Sequence, residues 1–270
     1  MAAVTSRLEL GPSDEYEDWY RNKLNAGEEQ VLARWHHQAI PFLPDVAGKR
    51  VLDMGSGVGT FSRYLAQRGA EVVAADFSAV AIQYAQDVVL TDLPNASAVV
   101  ADIHRIPFDD ESFDLTICSS TLEHVIDPPR AMSELRRVTK RGGTLLILMP
   151  NYFGSAGILR ALKRLRGKNE FSEIGQPINH VLMLPVMAWK VRRLGFKVTA
   201  IDGERHYVRI PFKKGKKRVA VDWLESPLVR PLTKWFGLHG LVRATRLAVL
   251  LAVLALAAGE VLEIPVLDVV

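Results

Sequence analysis

Apolar and polar positions along the chain fall into blocks whose period changes repeatedly. Continuous apolar runs lie at about 50–54, 71–76 and 97–101, then from Phe113 to Ser119 and from Thr144 to Met149. Runs of this kind, apolar throughout rather than alternating, predict strands covered on both faces. Between them lie stretches with helical spacing at about 60–68, 78–91 and Pro128 to Thr139, the first ended by Gly69. Pro185–Leu194 reads as another helix, and 196–202 as a turn into a strand. Strands alternating with helices predict an α/β fold, a doubly wound, mostly parallel sheet with helices on both faces. Ahead of it, residues 14–38 read as helix with a break near Asn25-Ala26-Gly27, carrying Trp19, Leu24, Val31, Leu32 and Trp35 among charged positions.

One junction carries chemistry. The first strand runs as Val51-Leu52-Asp53-Met54 into Gly55-Ser56-Gly57-Val58-Gly59, and Thr60-Phe61 open a helix. The next strand ends in Asp76. A strand, a glycine turn, a helix and an acid-tipped strand make a nucleotide site at the carboxyl edge of a parallel sheet. Glycines admit a ligand close to the backbone. The spacing is G-x-G-x-G, and the sixth position of a dinucleotide G-x-G-x-x-G falls on Thr60. Asp53 would repel a pyrophosphate and welcome an ammonium group. Both features disfavour a nicotinamide-binding oxidoreductase, and they suit a ligand with an amino acid end and a ribose end.

Further segments follow in order: Ala101-Asp102-Ile103-His104-Arg105-Ile106-Pro107-Phe108, Ser112-Phe113-Asp114-Leu115, Leu122-Glu123-His124-Val125, Asp127-Pro128 and Arg141-Gly142-Gly143. Together with the glycine turn, the chain over about 48–150 resembles the class I S-adenosylmethionine-dependent methyltransferases. The likeness is to the broad small-molecule branch that includes the ubiquinone-pathway O-methyltransferases. The resemblance implies a Rossmann-like sheet, S-adenosyl-L-methionine as cofactor, and N-terminal helices lying over the active site. It also implies a last strand inserted antiparallel, for which only Val261–Val270, broken by Pro265, remains, so that either this strand is irregular or the chain stops before it.

The same resemblance assigns roles. Asp53 is expected to take the methionine ammonium, directly or through water, or to cap the loop. Gly55, Ser56, Gly57 and Gly59 are expected to form the turn on which the cofactor lies. Asp76 is expected to hold the ribose hydroxyls, with Ser78 free to cap the next helix, and Phe77 to line the adenine pocket or simply pack. Asp102 and Ile103 resemble the pair that binds the adenine amine and covers the ring. Ser119 to His124 leaves the fourth strand where sulfonium and acceptor must meet. Methyl transfer needs mainly alignment, and His124 is the candidate base for a hydroxyl or protonated amine, or else a residue with a positional role. His180 follows the fifth strand and is placed to reach the acceptor. Glu123 lacks the further carboxylates of a catechol-type metal site, and no Cys/His/Asp set has zinc spacing. His36 and His37 read as solvated.

Charge changes the picture beyond the core. Residues 1–150 carry 14 Lys/Arg against 21 Asp/Glu, and residues 151–246 carry 20 against 6. The net +4 therefore hides an acidic half and a basic half. Basic residues cluster on an amphipathic stretch at 158–168 and in a loop at 213–218, and an apolar run covers 247–258. Those 12 residues would reach only ~18 Å as a helix, short of a ~30 Å hydrocarbon core. The basic groups are read as a solvated surface or as a seat on an anionic membrane. Nucleic acid is disfavoured because interleaved aromatics are missing. The single cysteine, Cys118, sits in an apolar strand and reads as a core residue. No apolar leader appears in residues 1–30, so a cytoplasmic, possibly membrane-associated, protein is expected. The organisation expected is an N-terminal cap at 1–45, a cofactor-binding core at 46–202 and a basic and apolar extension at 203–270. The acceptor expected is a small molecule, one with a lipid or prenyl tail before a free polar metabolite. A silent cofactor-binding module stays open.

Overall fold

The computed structural model describes residues 13–25, 32–153, 178, 180–204, 207–209, 218–220, 228–237 and 239–247. In chain order come helices α1 (Ser13–Asn25) and α2 (Arg34–Ala39), strand β1 (Arg50–Met54), α3 (Thr60–Ala66), β2 (Glu71–Asp76) and α4 (Ala79–Tyr84). Then follow β3 (Ala96–Val100), β4 (Phe113–Ser119), α5 (Pro128–Val138), β5 (Thr139–Pro150), α6 (Leu184–Arg193) and β6 (Phe196–Glu204). The chain continues with β7 (Tyr207–Arg209), β8 (Arg218–Ala220), α7 (Arg230–Thr233) and β9 (His239–Arg246). Strands β7 and β8 pair by themselves; the others form one sheet in the order β3-β2-β1-β4-β5-β9-β6. Only β9 runs antiparallel to its neighbours.

Local chemistry sets these boundaries. Helix α4 starts where the Ser78 hydroxyl accepts the Ala81 N–H, and α5 starts where the Asp127 carboxylate accepts the Arg130 N–H with Pro128 following it. Each satisfies an orphan donor of a first helical turn. The sheet buries both faces. Leu52, Met54, Phe113, Leu145, Ile147 and Val242 point to the side of α5 and α6. Val51, Val72, Leu115, Leu146, Leu148 and Leu241 point to the opposite side, where Phe61 and Leu65 of α3 pack. Each such side chain is worth about 1.5–3 kcal/mol of burial. Cys118 is fully buried among them, and burial pushes its thiol well up. It is a core residue.

The closing strand corrects the sequence reading. Val261–Val270 lies outside the described residues, and the antiparallel strand is His239–Arg246, inside the stretch 203–270 that charge had set apart. Its two arginines, Arg243 and Arg246, hide the strand pattern. Arg246 is nevertheless 8% exposed. It donates to the backbone carbonyls of Thr139 and Arg137 and faces Glu111 at 3.4 Å. Satisfied donors are what let a guanidinium lie in a sheet interior. The basic stretch at 158–168, residues 213–217 and the run at 248–258 lie outside the described residues. Among the described residues no helix is long and apolar enough to cross a membrane.

The chain crosses from β3 to the far side of β1 before laying down β4. Loops after β1 and β4 therefore diverge and leave a crevice at the carboxyl edge, the place where open α/β sheets bind ligands.

Candidate functional site

The turn after β1 lines that crevice. Gly55 and Gly57 hold φ of +79° and +55°, the left-handed region that glycine enters freely. The N–H groups of Gly55 and Ser56 both donate to the Ala75 carbonyl, at 2.7 and 3.0 Å, which ties the turn to the end of β2. The Gly57 N–H donates to the Asp76 carboxylate at 2.8 Å. A Cβ on Gly55 would lie 2.0 Å from the Thr121 hydroxyl, and one on Gly57 would lie 2.9 Å from the Tyr20 hydroxyl. There is no room for a side chain at either position.

A cavity of about 470 Å³ opens above this turn. Gly55, Ser56, Gly57, Asp76, Phe77, Asp102, Ile103, Ser119 and His124 all line it, so the structure brings these sequence candidates to one space. Asp53 and Gly59 do not line it. Asp53 lies beneath the turn, 2% exposed, and its carboxylate accepts the Ser62 hydroxyl at 2.7 Å. Gly59 is the entry to α3. Burial raises the Asp53 carboxyl to about 6, against the lowering pull of Ser62. Asp76 is also raised to about 6 by burial, although the N–H groups of Ser78 and Gly57 favour its charged form. Asp102 accepts both the backbone N–H of His104, at 2.9 Å, and its ring Nδ1, at 2.7 Å.

The loop leaving β4 supplies the opposite wall. His124 is positioned by its Nδ1, 2.8 Å from the Ile178 carbonyl. A carbonyl only accepts, so Nδ1 carries the proton and Nε2 keeps a lone pair. Burial lowers the imidazole pKa despite the raising effect of that carbonyl. Glu123 stands beside it, its Oε1 3.8 Å from His124 Nε2. Glu123 is 1% exposed, its Oε2 has no hydrogen-bond partner, and burial raises its carboxyl to about 8. His180 does not line the cavity; its Nε2 instead meets the Val125 carbonyl at 2.7 Å, bracing the loop. Among the described residues no group of His, Cys, Asp and Glu has the arrangement of a metal site.

Glu123 has a consequence for stability. Its folded-state pKa is raised, so its stabilising contribution is complete below about 4.5, the ordinary carboxyl value, and is lost as pH rises through about 8. Glu123→Gln should therefore flatten the decline in stability between pH 7 and pH 8, above the midpoints near 6 of Asp53 and Asp76. Denaturant unfolding at stepped pH checks this; parallel curves for the two proteins would contradict it.

Helix α1 forms the roof. Tyr16, Trp19, Tyr20 and Lys23 line the cavity from above. Tyr16 packs edge-on against Phe77, with ring centroids 5.2 Å apart. Glu17 fastens the roof. Its carboxylate accepts from the Ser78 hydroxyl at 3.0 Å and from the backbone N–H groups of Ala79 and Val80 at 2.7 and 3.1 Å. These are the free donors of the α4 first turn. Sequence reasoning missed these residues individually. The available signal was three aromatic rings within Tyr16–Tyr20 of an otherwise acidic helix. It also placed His36 in solvent, whereas His36 lines the cavity, stacks on Phe61 at 4.4 Å and is driven down to about 4 by burial. His37 is exposed.

Residues 52–147 match the family model described as a methyltransferase domain. Over 124 residues the chain is 39% identical to a demethylmenaquinone methyltransferase of Clavibacter sepedonicus, covering 46% of this chain and 49% of that protein. It is 33% identical over 156 residues to an uncharacterized methyltransferase of Mycobacterium tuberculosis, covering 58% of this chain and 60% of that one. The chain thus spans about half the length of the curated relatives it matches. Among solved structures, the magnesium protoporphyrin IX methyltransferase of Synechocystis, with bound S-adenosylhomocysteine, superposes with a TM-score of 0.58 at 16% identity. That match covers 87% of this chain and 97% of the other. The likeness confirms the fold expected from the sequence.

Proposed function

We propose that this chain, whose residues 52–147 match the model of a methyltransferase domain, transfers a methyl group from S-adenosyl-L-methionine to a small-molecule acceptor. The carrying observation is the convergence of the glycine turn, Asp76 and Asp102 on one cavity. The turn carries no side chain of its own at Gly55 and Gly57 and brings its backbone to the cavity wall, suited to the methionine end. Asp76, already anchored by the Gly57 N–H, offers its carboxylate to ribose hydroxyls. Asp102 and Ile103 offer an acceptor oxygen and an apolar cover to adenine. Bound there, the cofactor would supply an electrophilic methyl on a sulfonium that leaves as a neutral thioether. The acceptor's proton passes to His124 Nε2.

Calorimetric titration tests the cofactor assignment. Binding of S-adenosylhomocysteine without binding of a nicotinamide dinucleotide is expected, and the reverse would remove the proposal. Asp76→Ala should weaken S-adenosylhomocysteine binding by roughly 1.5–3 kcal/mol, the scale of lost charge-assisted bonds. An unchanged affinity would take Asp76 out of the site.

The acceptor proposed is a molecule with a lipid or prenyl tail and a hydroxyl. The Clavibacter relative is named a demethylmenaquinone methyltransferase, and the basic stretches at 158–168 and 213–218 with the apolar run at 247–258 suit an anionic bilayer surface. Labelled methyl transfer into a lipid extract and a polar extract, run side by side, distinguishes the acceptors. Co-sedimentation with anionic vesicles should occur at low salt and be lost at high salt as screening sets in. Protein left in the supernatant at low salt would end the membrane part.

A further inference from the structure

We propose that His104 is the positioning residue that makes Asp102 an adenine-selective group. This rests on the cofactor assignment above. Asp102 and His104 lie in the turn after β3, and each side chain is 10% exposed. Both hydrogen bonds from His104, the backbone N–H and the ring Nδ1–H, fall on the same carboxylate oxygen, Oδ1. Among the described residues no hydrogen bond reaches Oδ2. One oxygen of Asp102 is therefore fully engaged in holding the group, and the other is left to the cavity that Asp102 lines.

The imidazole is itself held on its far side. The backbone N–H of Asp127 donates to His104 Nε2 at 3.2 Å. A backbone N–H can only donate, so Nε2 is the unprotonated nitrogen and Nδ1 the protonated one. The tautomer that donates to Asp102 is thus imposed by the start of α5. Arg130, one turn into α5, donates its Nε–H to the His104 carbonyl at 3.0 Å, and the Asp127 carboxylate caps the same helix. A rigid helix start, a fixed imidazole and one immobilised carboxylate oxygen form a chain of bonds ending at the cavity. Such a supporting set fixes a recognition group in orientation, which is what separates a selective contact from a loose one.

The chemistry that results is specific. A carboxylate oxygen accepts and does not donate, so Oδ2 pairs with the exocyclic amine of adenine. A base with a carbonyl at that position would set two acceptors against each other and leave both unpaired, a loss far larger than a missing contact. His104 also lines the cavity, but both its ring nitrogens are engaged, with Asp102 and Asp127, so its effect on the ligand runs through Asp102. It decides how firmly Asp102 enforces the choice.

Titration of the full chain with S-adenosylhomocysteine and with S-inosylhomocysteine, in which the adenine amine is replaced by a carbonyl, tests this. The native protein should prefer the adenosyl compound by about a hundredfold or more. His104→Ala should weaken adenosyl binding roughly tenfold, the scale of one charge-assisted bond, and should narrow the preference by the same factor. His104→Asn places an amide N–H where Nδ1 was and should restore both, even though it gives up the Asp127 contact. A purely structural role would weaken both ligands together and leave the ratio intact, so an unchanged ratio in His104→Ala overturns the proposal. So would a native protein that binds both ligands equally. A native protein that binds neither would instead signal failure of the cofactor assignment, and this inference would fall with it.

Discussion

Gly57→Val is expected to abolish measurable S-adenosylhomocysteine binding while the sheet stays folded. Two effects coincide at this residue. Its φ of +55° is strained for any side chain and most for a β-branched one, at about 1–3 kcal/mol. Its Cβ would also stand 2.9 Å from the Tyr20 hydroxyl, before either valine methyl is counted. Even with the Tyr20 ring rotated away, the valine methyls would stand in the cavity that Gly57 lines, beside the bond from its N–H to Asp76, so ribose and methionine contacts should fail together. Gly57→Ala carries less backbone strain and less bulk and should lie between, at roughly tenfold weaker binding. Calorimetric titration reads the affinity, and thermal unfolding with circular dichroism confirms that the variants are folded. Native affinity in a folded Gly57→Val protein would remove the glycine turn from the cofactor site.

Strands β1, β2, β4 and β5 are legible in the sequence because interior parallel strands are apolar on both faces, and glycine or aspartate punctuates the carboxyl ends of β1, β2 and β3. That punctuation is also the chemistry, so the glycine turn, Asp76 and Asp102 are found together with the fold. Strand β9 is not legible. A buried strand carrying Arg243 and Arg246 reads as part of a basic tail, and only the carbonyls of Thr139 and Arg137, far away in sequence, explain how Arg246 is accommodated. His36 is missed for a related reason. A His-His pair on a short helix looks solvated until Phe61 of α3 is seen stacked on one ring. The contribution of Glu17 depends wholly on where α1 lands, since nothing within residues 13–25 announces the free N–H groups of α4. Asp53 is a different case. The motif signals its importance, yet its carboxylate supports the turn from below through Ser62 and does not line the cavity.

His124→Asn is expected to lower kcat by roughly a hundredfold or more with little change in S-adenosylhomocysteine affinity. General base catalysis is worth about 10²–10⁴-fold, and the substitution isolates it. The asparagine amide can still donate to the Ile178 carbonyl, 2.8 Å from Nδ1 in the native protein, so the loop leaving β4 keeps its anchor. What is lost is the lone pair on Nε2. The pH dependence has a definite sign. A base works unprotonated, and burial lowers the His124 pKa from its ordinary value near 6.5. The neutral form therefore persists further into acid than for a free imidazole. The midpoint of the acid limb should lie below 6.5, and that limb should vanish in the residual activity of His124→Asn. Labelled-methyl assays across pH, with the acceptor held at saturation, measure both. If His124→Asn turns over at the native rate, the histidine only positions the loop, and alignment of the two reactants carries the methyl transfer without a protein base.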